Sequence, residues 1–329
     1  MAFKDIAGNN RVKKILKLAL ERDRVPNSLL FCGPEGIGKR PMALALAKAL
    51  NCAAAPGDSC GRCPACLAID EGRFPDVMEF SGEAKDISIE QIRFIKQMAY
   101  LKPMMGRKRV FILDDADKMS PDASNSLLKV LEEPPLFSHF VLVTASPFLI
   151  LPTILSRCQT LAFSAVSKEE IEEILVDRDL PKEQARVLSL LVDGNLERAL
   201  ELEWDEVQGL KDEAWKLFEM MLSGRNASRF LERFGSLGKS AQEDFGQTLE
   251  IFSSFTRDML LLELGGDPRF LLNPDYESGL REAAAKLPAR RALALLADLD
   301  FVLTELDKNL NKNLLAATFF SNFGELTHA

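Results

Sequence analysis

Apolar positions in the first half of the chain follow two periods in turn, one helical and one strand-like. Asn10 to Arg22 has helical spacing, Ser28 to Cys32 (SLLFC) is a short apolar strand, and Arg40 to Asn51, rich in Ala and Leu, is helical again. Asp76 to Phe80 reads as a strand, and Ser88 with Gln91 forms a capping box that opens a helix running to about Tyr100. Arg109 to Leu113 (RVFIL) and Phe140 to Thr144 (FVLVT) are unbroken apolar runs, as strands buried on both faces require. Between them Pro121 to Glu132 is helical and is stopped by Pro134-Pro135. This alternation predicts a doubly wound α/β domain with a parallel sheet, ending near Phe163.

Past Phe163 the strand pattern stops. Ser167 with Glu170 is a second capping box, and three short helical segments follow at about 167 to 177, 181 to 192 and 195 to 203, which predicts a small helical domain over 164–204. From Asp205 onward long amphipathic segments recur, broken at Gly224, Gly235, Gly265-Gly266 and Asn273-Pro274, so residues 205–329 are expected to form an all-α domain.

The chain has 329 residues, 47% of them hydrophobic and 27% charged, values that exclude a disordered or collagen-like polymer. The longest weakly polar run, Phe140 to Leu155, is interrupted by Thr144, Ser146, Pro147, Pro152 and Thr153, which is too polar for a membrane span. MAFKDIAGNN has no apolar signal-peptide core, so a soluble cytoplasmic protein is expected. A net charge of -8 argues against a general nucleic-acid-binding module, and any DNA contact must be local or shared with partner subunits. His139 and His328 are the only histidines, which leaves little for a hydrolase triad; both are expected to be surface or edge residues.

Four of the six cysteines fall in one stretch: Cys52, Cys60, Cys63 and Cys66, spaced C-x7-C-x2-C-x2-C. In a cytosolic protein such clustering points to a metal before it points to disulfides. Four thiolates satisfy tetrahedral zinc with no open coordination position, so a structural Zn²⁺ is expected. Free thiols around a turn would leave the density unexplained, and an iron–sulfur cluster would bring redox chemistry that nothing else here requires. Cys32 and Cys158 sit in apolar contexts and read as core residues.

Residues 33 to 39 (GPEGIGK) lie directly after a strand and directly before a helix, the one context in which G-x-x-x-x-G-K has meaning. Gly33, Gly36 and Gly38 let backbone N–H groups turn toward phosphate oxygens, and Lys39 reaches the β and γ phosphates. The next position should be a Ser or Thr that ligates Mg²⁺; here it is Arg40, which has no acceptor and repels the cation. Arg40 either faces solvent or pairs with a phosphate or Asp114. Asp114 and Asp115 end the strand RVFIL like a metal-holding acid and a water-polarising acid, but the second is one methylene shorter than the usual Glu. The pair can also be read as a plain helix cap.

Together FKDIAGNN, GPEGIGK, the cysteine insert, ILDDADKM, ASNSLLKVLEEPP (123–135) and LPTILSRC (151–158) resemble the clamp-loader branch of the AAA+ ATPases, within it the delta-prime subunits of bacterial DNA polymerase III. The likeness covers residues 1 to about 200; the rest matches only in kind. It implies a P-loop (RecA-like/AAA+) domain over 1–163 carrying a zinc module at 52–66, a helical lid over 164–204 and an oligomerising collar over 205–329. In that family the arginine of Ser-Arg-Cys reaches the nucleotide of a neighbouring subunit, so Arg157 is implied as a trans-acting arginine finger; the plainer alternative is a helix cap or local pair. Thr144 matches the sensor-1 region, with a simple turn residue as the alternative. A sensor-2 Gly-x-x-Arg is expected in the lid, but the chain has Gly194-Asn195-Leu196-Glu197-Arg198, with the arginine one residue late, about 100° around the helix. The resemblance therefore implies a subunit with ATP or ADP weak or absent, assembled with gamma/tau and delta subunits in a hetero-pentameric ring that loads sliding clamps on primed DNA. The competing readings are an ATP-hydrolysing gamma/tau-like motor and a zinc-dependent DNA-binding module.

Overall fold

The computed structural model describes residues 2–54, 57–82, 87–192, 194–223, 239–306 and 312–328. The chain divides into two compact units, Met1–Glu201 and Leu202–Ala329. In the first unit the elements run α1 (Asn10–Glu21), β1 (Ser28–Cys32), α2 (Lys39–Asn51), α3 (Pro64–Asp70), β2 (Val77–Ser81), α4 (Ile89–Ala99), β3 (Arg109–Asp114), α5 (Pro121–Glu132), β4 (Ser138–Thr144), α6 (Pro152–Leu155) and β5 (Gln159–Ala162). Three further helices follow: α7 (Lys168–Val176), α8 (Lys182–Leu191) and α9 (Leu196–Glu201).

The five strands form one parallel sheet in the order β2-β3-β4-β1-β5. The apolar runs are unbroken because successive residues bury on opposite faces. Leu29, Phe31, Val110, Ile112, Val141 and Val143 join one core with Leu16 of α1 and Met42 and Leu46 of α2. Leu30, Phe111, Leu113, Phe140 and Leu142 join the other with Ile92 and Ile95 of α4 and Leu127 and Val130 of α5. The Ser88–Gln91 capping box is formed in both directions, by Gln91 N–H to Ser88 Oγ at 3.3 Å and Ser88 N–H to Gln91 Oε1 at 2.8 Å.

β5 was not expected. Its pattern is mostly exposed, because it is an edge strand paired only with β1. The expectation for His139 is corrected: it lies inside β4, the central strand of the sheet, 3% exposed, and its Nδ1–H donates to the Pro26 carbonyl at 3.1 Å. Burial lowers its pKa to about 4.

The described elements of the second unit are all helices, joined by turns. It comprises α10 (Trp204–Leu222) and the helices Lys239–Glu263, Glu277–Lys286, Ala289–Leu306 and Lys312–His328. Their apolar faces close on a core containing Phe218, Phe252, Phe255, Leu280, Leu295, Leu299 and Phe319. The expected breaks at Gly265-Gly266 and Asn273-Pro274 fall between helices, whereas Gly224 and Gly235 lie outside the described residues. No described helix is long and apolar enough to cross a membrane.

Candidate functional site

The C-terminal ends of β3, β4 and β1 are neighbours in the sheet, so Asp114, Thr144 and the loop after Cys32, far apart in sequence, meet at one edge. Ligands of open α/β sheets bind beyond these strand ends. A cavity of about 360 Å³ lies here, lined by Gly36, Gly38, Lys39, Arg40, Asp114, Asp115, Thr144 and Glu197 among others. Gly33, Gly36 and Gly38 have φ of 147°, 63° and 86°, the left-handed values that let the loop curl. Gly33 abuts the Phe163 carbonyl closely enough that an added Cβ would lie 2.4 Å from the oxygen.

Lys39, 7% exposed, is turned into its own loop: Nζ donates to the Gly33 carbonyl at 2.7 Å and to the Pro34 carbonyl. Burial pulls its pKa down, against Asp114, Glu35, Asp115 and Asp117, which favour the charged form. Arg40 does not face solvent alone. Its Nε–H donates to Glu79 of β2 at 3.1 Å, and Asp114 stands 3.8 Å away. Burial raises the pKa of Asp114, and the adjacent Asp115 adds to the shift. Asp115 adopts a left-handed φ of 51°, which Asp tolerates, and pairs with Lys118 at 2.9 Å.

Thr144 lies at the cavity wall, but its hydroxyl donates to Asp117 and accepts from Ser146 N–H at 2.9 Å. The segment after Gly194 closes on the loop, with Glu197 N–H donating to the Gly36 carbonyl at 3.1 Å. An added Cβ on Gly36 would fall 1.7 Å from Asn195 Oδ1. Glu197 lines the cavity, and Arg198 is not among its lining residues. The charged lining is four carboxylates (Glu35, Asp114, Asp115, Glu197) against three cations (Lys39, Arg40, Lys118), leaving no positive surplus for a triphosphate. Glu79, Asp117 and Asn195 were not singled out from the sequence.

Arg157 is not in this cavity. It precedes β5, whose residues Gln159 to Ala162 run beside Leu29 to Cys32, so it lies toward the opposite end of the sheet from Gly33. The four residues of β5 alone span roughly 13 Å at about 3.3 Å each. The guanidinium is bound by Glu132, with Nε–H donating at 2.9 Å, and by the Thr153 carbonyl, to which Nη1–H donates at 2.9 Å.

The four cysteines converge independently of the cavity. Cys52 caps the end of α2, Cys63 caps the start of α3, Cys66 lies in the first turn of α3, and all four Sγ atoms lie within 4.8 Å of one another. Zinc–sulfur bonds of about 2.3 Å put tetrahedral sulfurs about 3.8 Å apart, so a metal fits with a closure of about 1 Å. Cys63 N–H donates to Cys60 Sγ at 3.3 Å. Together with the Arg62 N–H, the larger influence, it lowers the Cys60 pKa to about 6, favouring the thiolate a metal needs. Burial pushes the Cys66 thiol up to about 12, a cost that a bound cation reverses. Lys48, 1% exposed, holds Asp70 at 2.6 Å and fastens α3 to α2.

Residues 8–167 match the family model described as "DNA polymerase III, delta subunit". Over 272 residues the chain is 30% identical to DNA polymerase III subunit delta' of Bacillus subtilis (strain 168), covering 82% of each chain. The chain belongs to the DNA polymerase III delta-prime family. It is also 32% identical over 278 residues to the tau subunit of the same organism, spanning about half (48%) of that protein's length. A solved gamma-subunit-related protein from Thermotoga maritima is 21% identical, covering 96% of this chain and 99% of that one, with a TM-score of 0.48.

Proposed function

We propose that the chain is a non-hydrolysing delta-prime subunit of the DNA polymerase III clamp loader that supplies Arg157 to the nucleotide pocket of a neighbouring subunit. It acts in the cytoplasm, within a hetero-pentameric ring with gamma/tau and delta subunits, as the ring opens a sliding clamp and places it on primed DNA. Residues 1–163 are its AAA+ domain, 164–204 its lid and 205–329 its collar.

The observation that carries this reading is the separation of Arg157 from the chain's own cavity, toward the opposite end of β5. A guanidinium there is too far away to serve Lys39 and Gly36 in the same chain. Against a neighbour's γ-phosphate it can stabilise charge developing during transfer. The state of the chain's own pocket supports the same division of labour. Arg40 takes the place of the Mg²⁺-binding hydroxyl, Lys39 is spent on loop carbonyls, and Glu197 adds a negative charge at the rim. ATP or ADP is therefore bound weakly or not at all. No observation favours the motor reading.

Within this function Cys52, Cys60, Cys63 and Cys66 hold a structural Zn²⁺ that ties α3 to the end of α2 and supplies no open coordination position.

At saturating Mg–ATP the isolated chain should show no turnover, and mixed with gamma/tau and delta subunits of the same source it should elute as one complex. Brisk hydrolysis by the lone chain, abolished by Lys39→Ala, would overturn the reading.

A further inference from the structure

We infer that Glu132 is a positioning residue for Arg157, fixing the direction in which the guanidinium meets a neighbour's nucleotide. The inference rests on the trans role proposed for Arg157. Glu132 is the last residue of α5, in the stretch Glu132-Glu133-Pro134-Pro135, where the prolines forbid another helical turn. Arg157 comes 25 residues later, just past the short helix α6. The two side chains are therefore brought together by the fold and not by local spacing.

A guanidinium has five N–H donors in a rigid plane. Nε–H donates to Glu132 Oε1 at 2.9 Å, and Nη2 donates to the same oxygen. On the other edge, Nη1 donates to the Thr153 carbonyl at 2.9 Å and to Ser156 Oγ at 3.2 Å. Among the described residues four of the five donors are thus engaged, and one N–H of Nη2 remains to be presented. An arginine held at both edges of its plane cannot swing about its χ angles, so the remaining donor has one direction. The Arg157 side chain is 31% exposed and that of Glu132 is 47% exposed. Ion pairs this exposed add little to stability, so the consequence of the contact is orientation. Orientation matters because a displacement of about 1 Å at a reacting centre can cost up to about a hundredfold in rate.

The test is ATP hydrolysis by a loader reconstituted from full-length subunits and stimulated by clamp and primed DNA, with Arg157→Ala setting the scale. Glu132→Ala, which removes the acceptor, should abolish at least half of the activity that Arg157→Ala abolishes, through kcat, with KM for ATP unchanged. Glu132→Gln keeps an acceptor oxygen at the same reach and should retain most of the activity. The double variant should be no slower than Arg157→Ala alone. Should Glu132→Ala not assemble, Glu132→Ser, also too short to reach, takes its place. If Arg157→Ala lowers the rate but Glu132→Ala does not, or speeds it, the positioning role is overturned. Equal losses for Ala and Gln also overturn it, since they assign the effect to charge and not to aim. No effect of Arg157→Ala contradicts the trans role itself, an outcome separate from all of these.

Discussion

Arg40 donates its Nε–H to Glu79 at 3.1 Å and stands 3.8 Å from Asp114, so a fixed cation occupies the neighbourhood where a P-loop hydroxyl would help hold Mg²⁺. The two charges come from different elements, α2 and β2. Arg40 neutralises part of the acidic rim and at the same time repels any divalent ion. Arg40→Thr should therefore create a magnesium-dependent component of ADP binding, about tenfold in affinity or ~1.4 kcal/mol. Titration of a fluorescent ADP with and without Mg²⁺ measures it. Equal affinity in both conditions would shift the defect to the folded-in Lys39 or to Glu197.

The Cys cluster makes a prediction about metal and stability together. The purified chain should carry one zinc ion, and Cys63→Ser should lose it, because Cys63 both caps α3 and contributes a sulfur. Elemental analysis with a thermal melt tests this. A metal-free wild-type chain that melts at the same temperature as the zinc-loaded one would contradict a structural role.

Asp76 and Arg109 form an ion pair that is 0% and 1% exposed, and Asp76 also accepts N–H bonds from Met104, Met105 and Gly106 at 2.9, 2.7 and 2.8 Å. Removing one partner strands the other charge in the interior, so Asp76→Ala should cost about 3–5 kcal/mol in denaturant unfolding. A loss below ~1 kcal/mol would mean that water reaches Arg109.

His139 gives a pH dependence. Its folded pKa is lowered to about 4 from an ordinary value near 6.5, so between those values the unfolded chain binds the proton first. Stability should fall as pH drops from about 6.5 to about 4, by at most ~3 kcal/mol from this group. Measured as the difference between wild type and His139→Leu, the gap should shift in favour of the variant across this window. A constant difference would contradict the burial argument.

The strands were legible because each face of the sheet is covered: SLLFC, RVFIL and FVLVT have no polar interruption, and two of them lead directly to Gly33 and Asp114. The glycine loop after β1 and the convergence of the four cysteines were legible because the residues concerned lie close together in the sequence. β5 was not, since as an edge strand it shows three exposed residues out of four. The burial of His139 leaves no mark in the sequence, because a histidine can be buried neutral when a carbonyl, here that of Pro26, takes its N–H. Glu79, Asp117 and Glu132 escaped notice for another reason. Their roles come from partners 25 to 39 residues away, and an exposed or half-buried acid carries no local sign of such pairing.

On the proposed reading this chain gives a catalytic group to a neighbour and uses none of its own. ATP hydrolysis by the assembled loader, compared between Arg157→Ala and Lys39→Ala, tests it most directly. A large loss with Arg157→Ala and a wild-type rate with Lys39→Ala are expected. The reverse pattern, a loss with Lys39→Ala and none with Arg157→Ala, would contradict it.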